Sequence, residues 1–477
     1  MLLDLSIELL EAIGAQLARS DQAVLGSVCK TLNGAVEPLL FSDLVLKTSL
    51  NGLSDKSLQK VKALATGATR WFLHAKTLHI SPVRMTTGRT THDEKLVNIF
   101  QAALAALSKI RAVAAEGSYG YVHFHPYAFW TWGQTSFLGF LNKLTTLDNL
   151  ELQIPSTLDL SGLQVRSLRK LTLKNCEPLR IAGGTLPPPP PWPAYQMSAD
   201  LILAQNRLHT LHVEGPAEWT AIWRIFQSRT QWTKPVQITT NVVTSELFDY
   251  LSSCSVLEEL TLLSPDGGDQ DASNRLADAF FETVLPRFVE CLTRLSCPAP
   301  YESRFSFGAH NINVISSLYN LTELEVSINA GVVRRKEITV PIERQGERYP
   351  GEAEQADIDV VVMPLLRTAA TLPALHTLII RATEPEDLRL YYGMVRGDKI
   401  DHLGAVNAAI VNAVENFHTN VPCAAVVCAG ESAYQVREVA GSMEEGQLQK
   451  EWGYKRVASW NSEPWASADW DYVSLYF

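Results

Sequence analysis

Two hydrophobic periods run along this chain of 477 residues, one helical and one extended. Over the first forty positions apolar residues recur every three or four. Leu9, Ile13 and Leu17 fall on one helical stripe, and Val24/Leu25, Val28/Cys29 and Leu32 repeat that spacing on a second. Asp21 is suited to open the second helix, because its carboxylate can accept from free first-turn amides. Pro38, ahead of Leu39-Leu40-Phe41, suits the opening turn of a third, where no amide hydrogen is needed. Three helices this short bury little surface, and domains below roughly 40 residues usually need a partner or a crosslink. The apolar stripes are therefore expected to be completed from elsewhere.

Beyond Phe41 the period shortens. Ser42 to Leu46 alternates as a strand does, and Leu53 to Phe72 returns to helical spacing. A motif Leu-x-x-Leu-x-Leu then recurs as Leu147 to Leu152, Leu168 to Leu173, Leu208 to Val213, Leu257 to Leu262, Leu292 to Cys297, Leu321 to Val326 and Leu375 to Ile380. Leu107 to Ala112 and the shorter Leu78-His79-Ile80 share its form, Val236 to Ile238 is a weaker match, and Cys423 to Cys428 is a candidate for the last. Helical stretches precede the strands, clearest at Leu96 to Leu107, Ser245 to Ser253, Asn274 to Val284 and Leu403 to Phe417. Alternation turns the leucines inward and leaves Glu151, Gln153, Thr172, Lys174, His212, Glu214, Glu325, Ser327 and Arg381 on the opposite face. A strand-helix unit cannot bury both its faces alone, so neighbours must stack into a parallel sheet with helices outside. Steps run from 21 residues (Leu150 to Leu171) to 54 (Leu324 to Leu378), so the array is irregular and carries insertions. The expected fold is α/β: a three-helix module over 1–46, an irregular curved solenoid over 47–440, and an aromatic-rich tail over 441–477.

Insertions are expected near 183–197, 264–273 and 330–357. The first holds Pro187 to Pro191 and Trp192-Pro193, extended polyproline that serves either as a stiff surface loop or as a ligand for a proline-binding module. The second gathers Asp266, Asp269 and Asp271 without the terminal Glu that a calcium loop requires, which makes it a solvated turn. The third is charged and long. In the tail, Trp452, Tyr454, Trp460, Trp465, Trp470, Tyr472, Tyr476 and Phe477 either cap the open end of the array or meet a partner.

Charge and cysteine usage narrow the function classes. The net charge is −10, from 41 Lys and Arg against 51 Asp and Glu, and no basic block occurs, which argues against nucleic acid. Seven cysteines lack any C-x-x-C pair, and Cys291/Cys297 and Cys423/Cys428 match no metal template. No metal or other cofactor is expected. The apolar start carries Asp4, Glu8 and Glu11 without the basic flank of a signal peptide, and no run is long enough to cross a bilayer. A cytoplasmic or nuclear setting follows, with no membrane partner. There is no G-x-S-x-G elbow, phosphate-cradling glycine loop or H-E-x-x-H pair. His123 and His125 could share a face of an extended segment, but Phe124, Tyr127, Phe129, Trp130 and Trp132 around them read as a contact surface. Gly183-Gly184 is a turn.

The opening stretch resembles an F-box. Leu5, Glu8, Leu9, Leu10, Ile13, Asp21, Leu25, Val28, Cys29, Lys30, Pro38, Leu39 and Phe41 match its pattern, while Ser6 stands where that family prefers proline and can cap the helix instead. With the irregular leucine-rich repeats behind it, the chain is similar to fungal F-box proteins of the leucine-rich-repeat type. The resemblance implies a non-catalytic substrate receptor of a Skp–cullin–F-box ubiquitin ligase. Leu5, Ser6, Leu9, Leu10, Ile13, Leu17, Leu25 and Val28 would then meet a Skp-family linker and, through it, a cullin. The residues between the leucines, together with Trp460, Trp465 and Trp470, would meet an unknown target protein. A scaffold of the same build uncoupled from ubiquitylation is the alternative.

Overall fold

The structure is a computed structural model and describes residues 4–49, 52–82, 94–115, 132–154, 158–175, 194–229, 232–331, 333–336, 352–386, 389, 397–421, 424–430, 432–439, 443–444, 447–448 and 451–459. The polyproline run, His123 and His125 with their neighbours through Trp130, Gly183-Gly184, Cys423 and the tail aromatics from Trp460 onward lie outside the described residues. The chain divides into two compact units, Met1–Pro235 and Val236–Phe477.

The first unit opens with a three-helix bundle, α1 (Ile7–Ala15), α2 (Arg19–Val28) and α3 (Lys30–Leu40), with α3 packed on both others. Ser6 caps α1, its Oγ accepting from Leu9 N at 3.5 Å, so serine does at this position what the sequence required of it. Two boundaries differ from expectation. α2 begins at Arg19 behind an Ala18 cap without a side-chain bond, and Asp21 sits inside the first turn, where its charge still meets the positive end of the helix. Pro38 lies in the last turn of α3 rather than its first. Losing one amide donor near a helix end costs less than exposing Leu32, Ala35 and Val36, which that helix buries.

Close approach holds the bundle together. A Cβ on Gly14 would lie 3.1 Å from Val36 and Leu39 side-chain atoms, and one on Gly26 would lie 2.9 Å from Val36. Buried Gln22 donates to Gly14 O at 3.0 Å and to Leu17 O at 3.2 Å, satisfying the end of α1. Leu10, Leu32 and Ala35 form the bundle's core, with Leu25 and Cys29 packed against it. Leu10, one of the positions assigned from sequence to a partner face, is therefore an internal residue.

Strands and helices then alternate: β1 (Asp43–Ser49), β2 (Gly52–Leu53), α4 (Asp55–Ala65), α5 (Trp71–His74), β3 (Thr77–Pro82), α6 (Glu94–Ala105), β4 (Ala112–Ala115), α7 (Gln134–Leu141), β5 (Asn149–Ile154), β6 (Lys170–Asn175), α8 (Ala194–Leu203), β7 (Thr210–Glu214) and α9 (Ala221–Gln227). The strand order is β7-β6-β5-β4-β3-β1-β2, parallel except for the short β1–β2 hairpin. Register aligns Leu44, Leu78, Val113, Leu150, Leu171 and Leu211 in one row, each nearly or fully buried. Helices of the crossovers between the parallel strands pack on one another, α4 on α6 and α6 on α7 in succession. Among the described residues one step has no helix. Between β5 and β6 the inward side chains of Leu158, Leu160, Leu163 and Val165 take its place, which is how that step needs only 21 residues.

The second unit repeats the scheme: β8 (Gln237–Thr240), α10 (Ser245–Ser252), β9 (Glu259–Leu262), α11 (Gln270–Ala279) with a following π turn Phe280–Val284, β10 (Arg294–Ser296), α12 (Ile312–Ser316), β11 (Glu323–Ile328), a ribbon of β12 (Arg335–Lys336) with β13 (Glu352–Ala353), α13 (Gln355–Thr371), β14 (Thr377–Ala382), α14 (Gly397–Glu415), β15 (His418–Thr419) and β16 (Val426–Ala429). Ile238, Leu260, Leu295, Leu324, Leu378 and Val427 form its leucine row. After β16 the pairing turns antiparallel. β17 (Ser432–Val439) and β20 (Glu451–Ser459) flank a small ribbon of β18 (Met443–Glu444) and β19 (Gln447–Leu448), and β15 closes on β20. Tyr434 and Tyr454 are both buried at this end, and Tyr454 stacks on Phe417 with ring centroids 6.2 Å apart.

Neighbouring leucines of α1 give a test of the bundle. Leu10→Ala is expected to destabilise the first unit by roughly 2–5 kcal/mol in urea unfolding. Leu9→Ala is expected to change it by less than about 0.5 kcal/mol.

Candidate functional site

The bundle exposes a set of large apolar side chains among its polar surface residues. Leu9 is 53% exposed, Ile13 42% and Leu5 37%, and on α2 Val24 and Val28 reach 65% and 67%. Ile7 joins them, whereas Leu17 and Leu25 are half-buried. Of the positions assigned from sequence, the structure thus brings Leu5, Ser6, Leu9, Ile13 and Val28 to the surface. It adds Ile7 and Val24, whose exposure no period in the sequence distinguishes from burial. Elsewhere among the described residues, exposed large apolar side chains stand singly, at Val256, Tyr319, Val360, Val421 and Val457.

The bundle is fixed to the first strand and helices of its unit. Arg19 of α2 donates to Leu40 O at 2.6 Å and Asp43 O at 3.1 Å. Glu37 of α3 meets Arg70 at 3.4 Å and His74 at 3.2 Å. Phe41 stands edge-on to Trp71 with centroids 5.4 Å apart, and Lys60 lies over the same indole while donating to Val45 O at 3.0 Å. Burial chiefly, with Arg19, Lys47 and Lys56 nearby, lowers the Lys60 pKa. Basic and aromatic residues at irregular spacing give no sequence signal, so this junction was invisible before folding.

On the first unit's sheet, the face away from the leucines carries two aligned rows, Glu151–Thr172–His212 and Gln153–Lys174–Glu214. Lys174 bridges Glu214 at 3.2 Å and Glu151 at 4.0 Å, and His212 Nε2 is 2.6 Å from Glu214 Oε1. Burial pushes the Glu214 pKa up, but the hydrogen bond and charge of His212, then Lys174, outweigh it and leave the carboxyl lowered. Thr172, flanked in its row by Glu151 and His212, is only 2% exposed. It is not an available contact.

The second unit corrects two more positions. Ser327 is fully buried and Glu325 is 8% exposed. The segment after β10 folds over them: Ala299 N donates to Ser327 Oγ at 3.1 Å, Ser306 Oγ lies 3.2 Å from it, and Phe307 N donates to Ser327 O at 2.8 Å. Glu325 accepts from Ser296 Oγ at 2.6 Å and from Arg381 Nε, so the predicted target contacts Glu325 and Arg381 are instead a buried pair and its half-buried cation. The predicted aspartate loop leads into a helix. Asp269 caps α11 through Ala272 N at 2.7 Å, and Asp266 accepts from Ser273 Oγ at 2.8 Å and from Arg389, which also lies over Tyr301.

Two of the described cysteines are buried thiols of low reactivity. Burial, then the Glu325 charge, pushes the Cys297 thiol up to about 12, and burial with Glu323 does the same to Cys428, so neither is a thiolate near neutral pH. Among the described residues no three of His, Cys, Asp and Glu gather as metal ligands, and no described helix is long and apolar enough to cross a membrane. The candidate contacts Trp460, Trp465 and Trp470 lie outside the described residues. No protein-family model matches the chain, and no curated protein sequence matches it with a significant score.

The lowered Glu214 carboxyl has a pH signature. Its contribution to stability is present above its ordinary value of 4.5 and is lost as the pH falls through the lowered value. The stability gap between wild type and Glu214→Gln, read by urea unfolding, is expected to narrow across that acid range.

Proposed function

We propose that this protein is a two-ended adaptor. The bundle docks on a Skp-family linker, and through it a cullin, and the repetitive β/α body, read as irregular leucine-rich repeats, holds a target for ubiquitylation. The chain performs no bond chemistry in this reading and acts by raising local concentration. The observation that carries the proposal is the apolar surface of Leu5, Ile7, Leu9, Ile13, Val24 and Val28 on a module too small to be secure alone. Burying an aliphatic side chain of this size stabilises by roughly 1.5–3 kcal/mol, which a partner gains and water forgoes. The Arg19, Glu37 and Phe41 contacts support the reading, because they would hold a docked linker at a fixed angle to the first unit.

Co-expression with a Skp-family linker tests it. Ile13→Asp is expected to abolish co-purification, since a charge forced into an interface centre costs on the order of 2 kcal/mol or more. Circular dichroism should stay unchanged, because Ile13 is exposed in the free chain. A folded variant that still retains the linker would remove this docking surface from consideration. Retained docking by wild type without turnover of any captured target would favour the uncoupled scaffold.

A further inference from the structure

The turns that lead into the first unit's strands carry cations that are distant in sequence and adjacent in the fold. Lys76, Arg111, Asp148, Arg169 and His209 immediately precede β3, β4, β5, β6 and β7. Their backbones form one continuous ladder. Arg111 N donates to Lys76 O at 2.7 Å, Asp148 N to Arg111 O at 2.8 Å, Arg169 N to Asp148 O at 2.8 Å, and His209 N to Arg169 O at 2.8 Å. Lys170 opens β6, and Arg166 and Arg207 lie in the turns just before β6 and β7. Lys76, Arg111, Arg166, Arg169, Lys170 and Arg207 are all exposed, and none forms an ion pair among the described residues. Two other cations of the unit have acidic partners, Arg70 in Glu37 and Lys174 in Glu214. The carboxylate within the row, Asp148, is half-buried.

A chain of net charge −10 therefore concentrates unpaired positive charge along one edge. Carboxylates farther away than the screening length, about 8 Å at physiological salt, do little to cancel it. We propose that this strand-start edge docks an acidic peptide segment, its charge carried by carboxylates or by phosphorylated side chains. Four inter-strand steps of about 4.8 Å give a row roughly 19 Å long, the span of about six residues of extended peptide. The row suits a peptide better than nucleic acid. Duplex phosphates present two tracks across a groove about 12 Å wide, and single strands are held by aromatic stacking, but this row offers one track without Phe, Tyr or Trp. It has no exposed large apolar residue to insert into a bilayer. The proposal stands apart from the adaptor reading, because the edge lies on strand starts rather than on the bundle, and its test uses no linker.

Fluorescence anisotropy on the full chain tests it with three labelled probes of about eight residues, enough to span the row: a Glu- and Asp-rich peptide, a phosphoserine peptide, and a Lys-rich control. Either acidic probe is expected to bind in low salt and weaken as salt rises, with the tighter of the two identifying the source of the charge. Arg169→Glu with Lys170→Glu is expected to weaken binding about tenfold or more. Lys56→Glu with Lys62→Glu makes the same change in net charge on the exposed side of α4 and is expected to bind as wild type does. Far-UV dichroism and thermal midpoints check that both variants are folded. The proposal is overturned if neither acidic probe binds wild type in low salt, or if the two double variants lose binding equally. It is equally overturned if a single-stranded oligonucleotide or phosphatidylserine vesicles bind more tightly than both acidic peptides.

Discussion

In-register stacking of the leucine rows is the constraint on which the rest of this structure depends. Each short strand offers two or three inward side chains, too few to bury themselves. Aligned from Leu44 through Leu211 in one unit and from Ile238 through Val427 in the other, they become continuous and nearly solvent-free. A slip of one residue at any strand would turn its leucines outward, so register is strongly specified. This explains the tolerance for irregular spacing. As long as the row is refilled, the connection can be a full helix, the helix-free stretch from Leu158 to Val165, or the long insertion before α13.

The same rule makes the bundle stand out. Its inner residues, Leu10, Leu32, Ala35 and Val36, are sealed, and helices cross closely at Gly14 and Gly26. Its outer residues have no sheet to cover them. A small module saturated on one side and apolar on the other is what a docking element requires, whereas among the described residues the body hides nearly all its large apolar side chains. The junction through Arg19, Glu37 and Phe41 joins these two regimes without covering the outer stripe.

The polar faces of the sheets are less available than alternation alone suggests. In the first unit, ion pairs among Glu151, Lys174, His212 and Glu214 tie neighbouring strands together. In the second, the segment following β10 seals Ser327 and leaves Glu325 to Ser296 and Arg381. Unpaired cations line the strand starts, where Lys76 and Arg111 are followed, across Asp148, by Arg169.

The sequence by itself located most of the strands and the leucines that line their inner face, because period and motif are local properties that one stretch of chain carries alone. The strand expected within Leu107–Ala112 lies instead at Ala112–Ala115, with Val113 in the buried row. It located the helices of the bundle and the serine cap of the first, though not the place of Asp21 or Pro38, since boundaries yield to burial of Leu32 and Val36. Which of two adjacent leucines is covered was decided only by the fold: Leu9 and Leu10 are alike in sequence, and the crossing of α1 on α3 separates them. The burial of Thr172 and Ser327, the Glu37 junction and the cationic row were likewise settled in three dimensions. Each depends on residues tens of positions apart meeting across strands, a distance that no local period encodes.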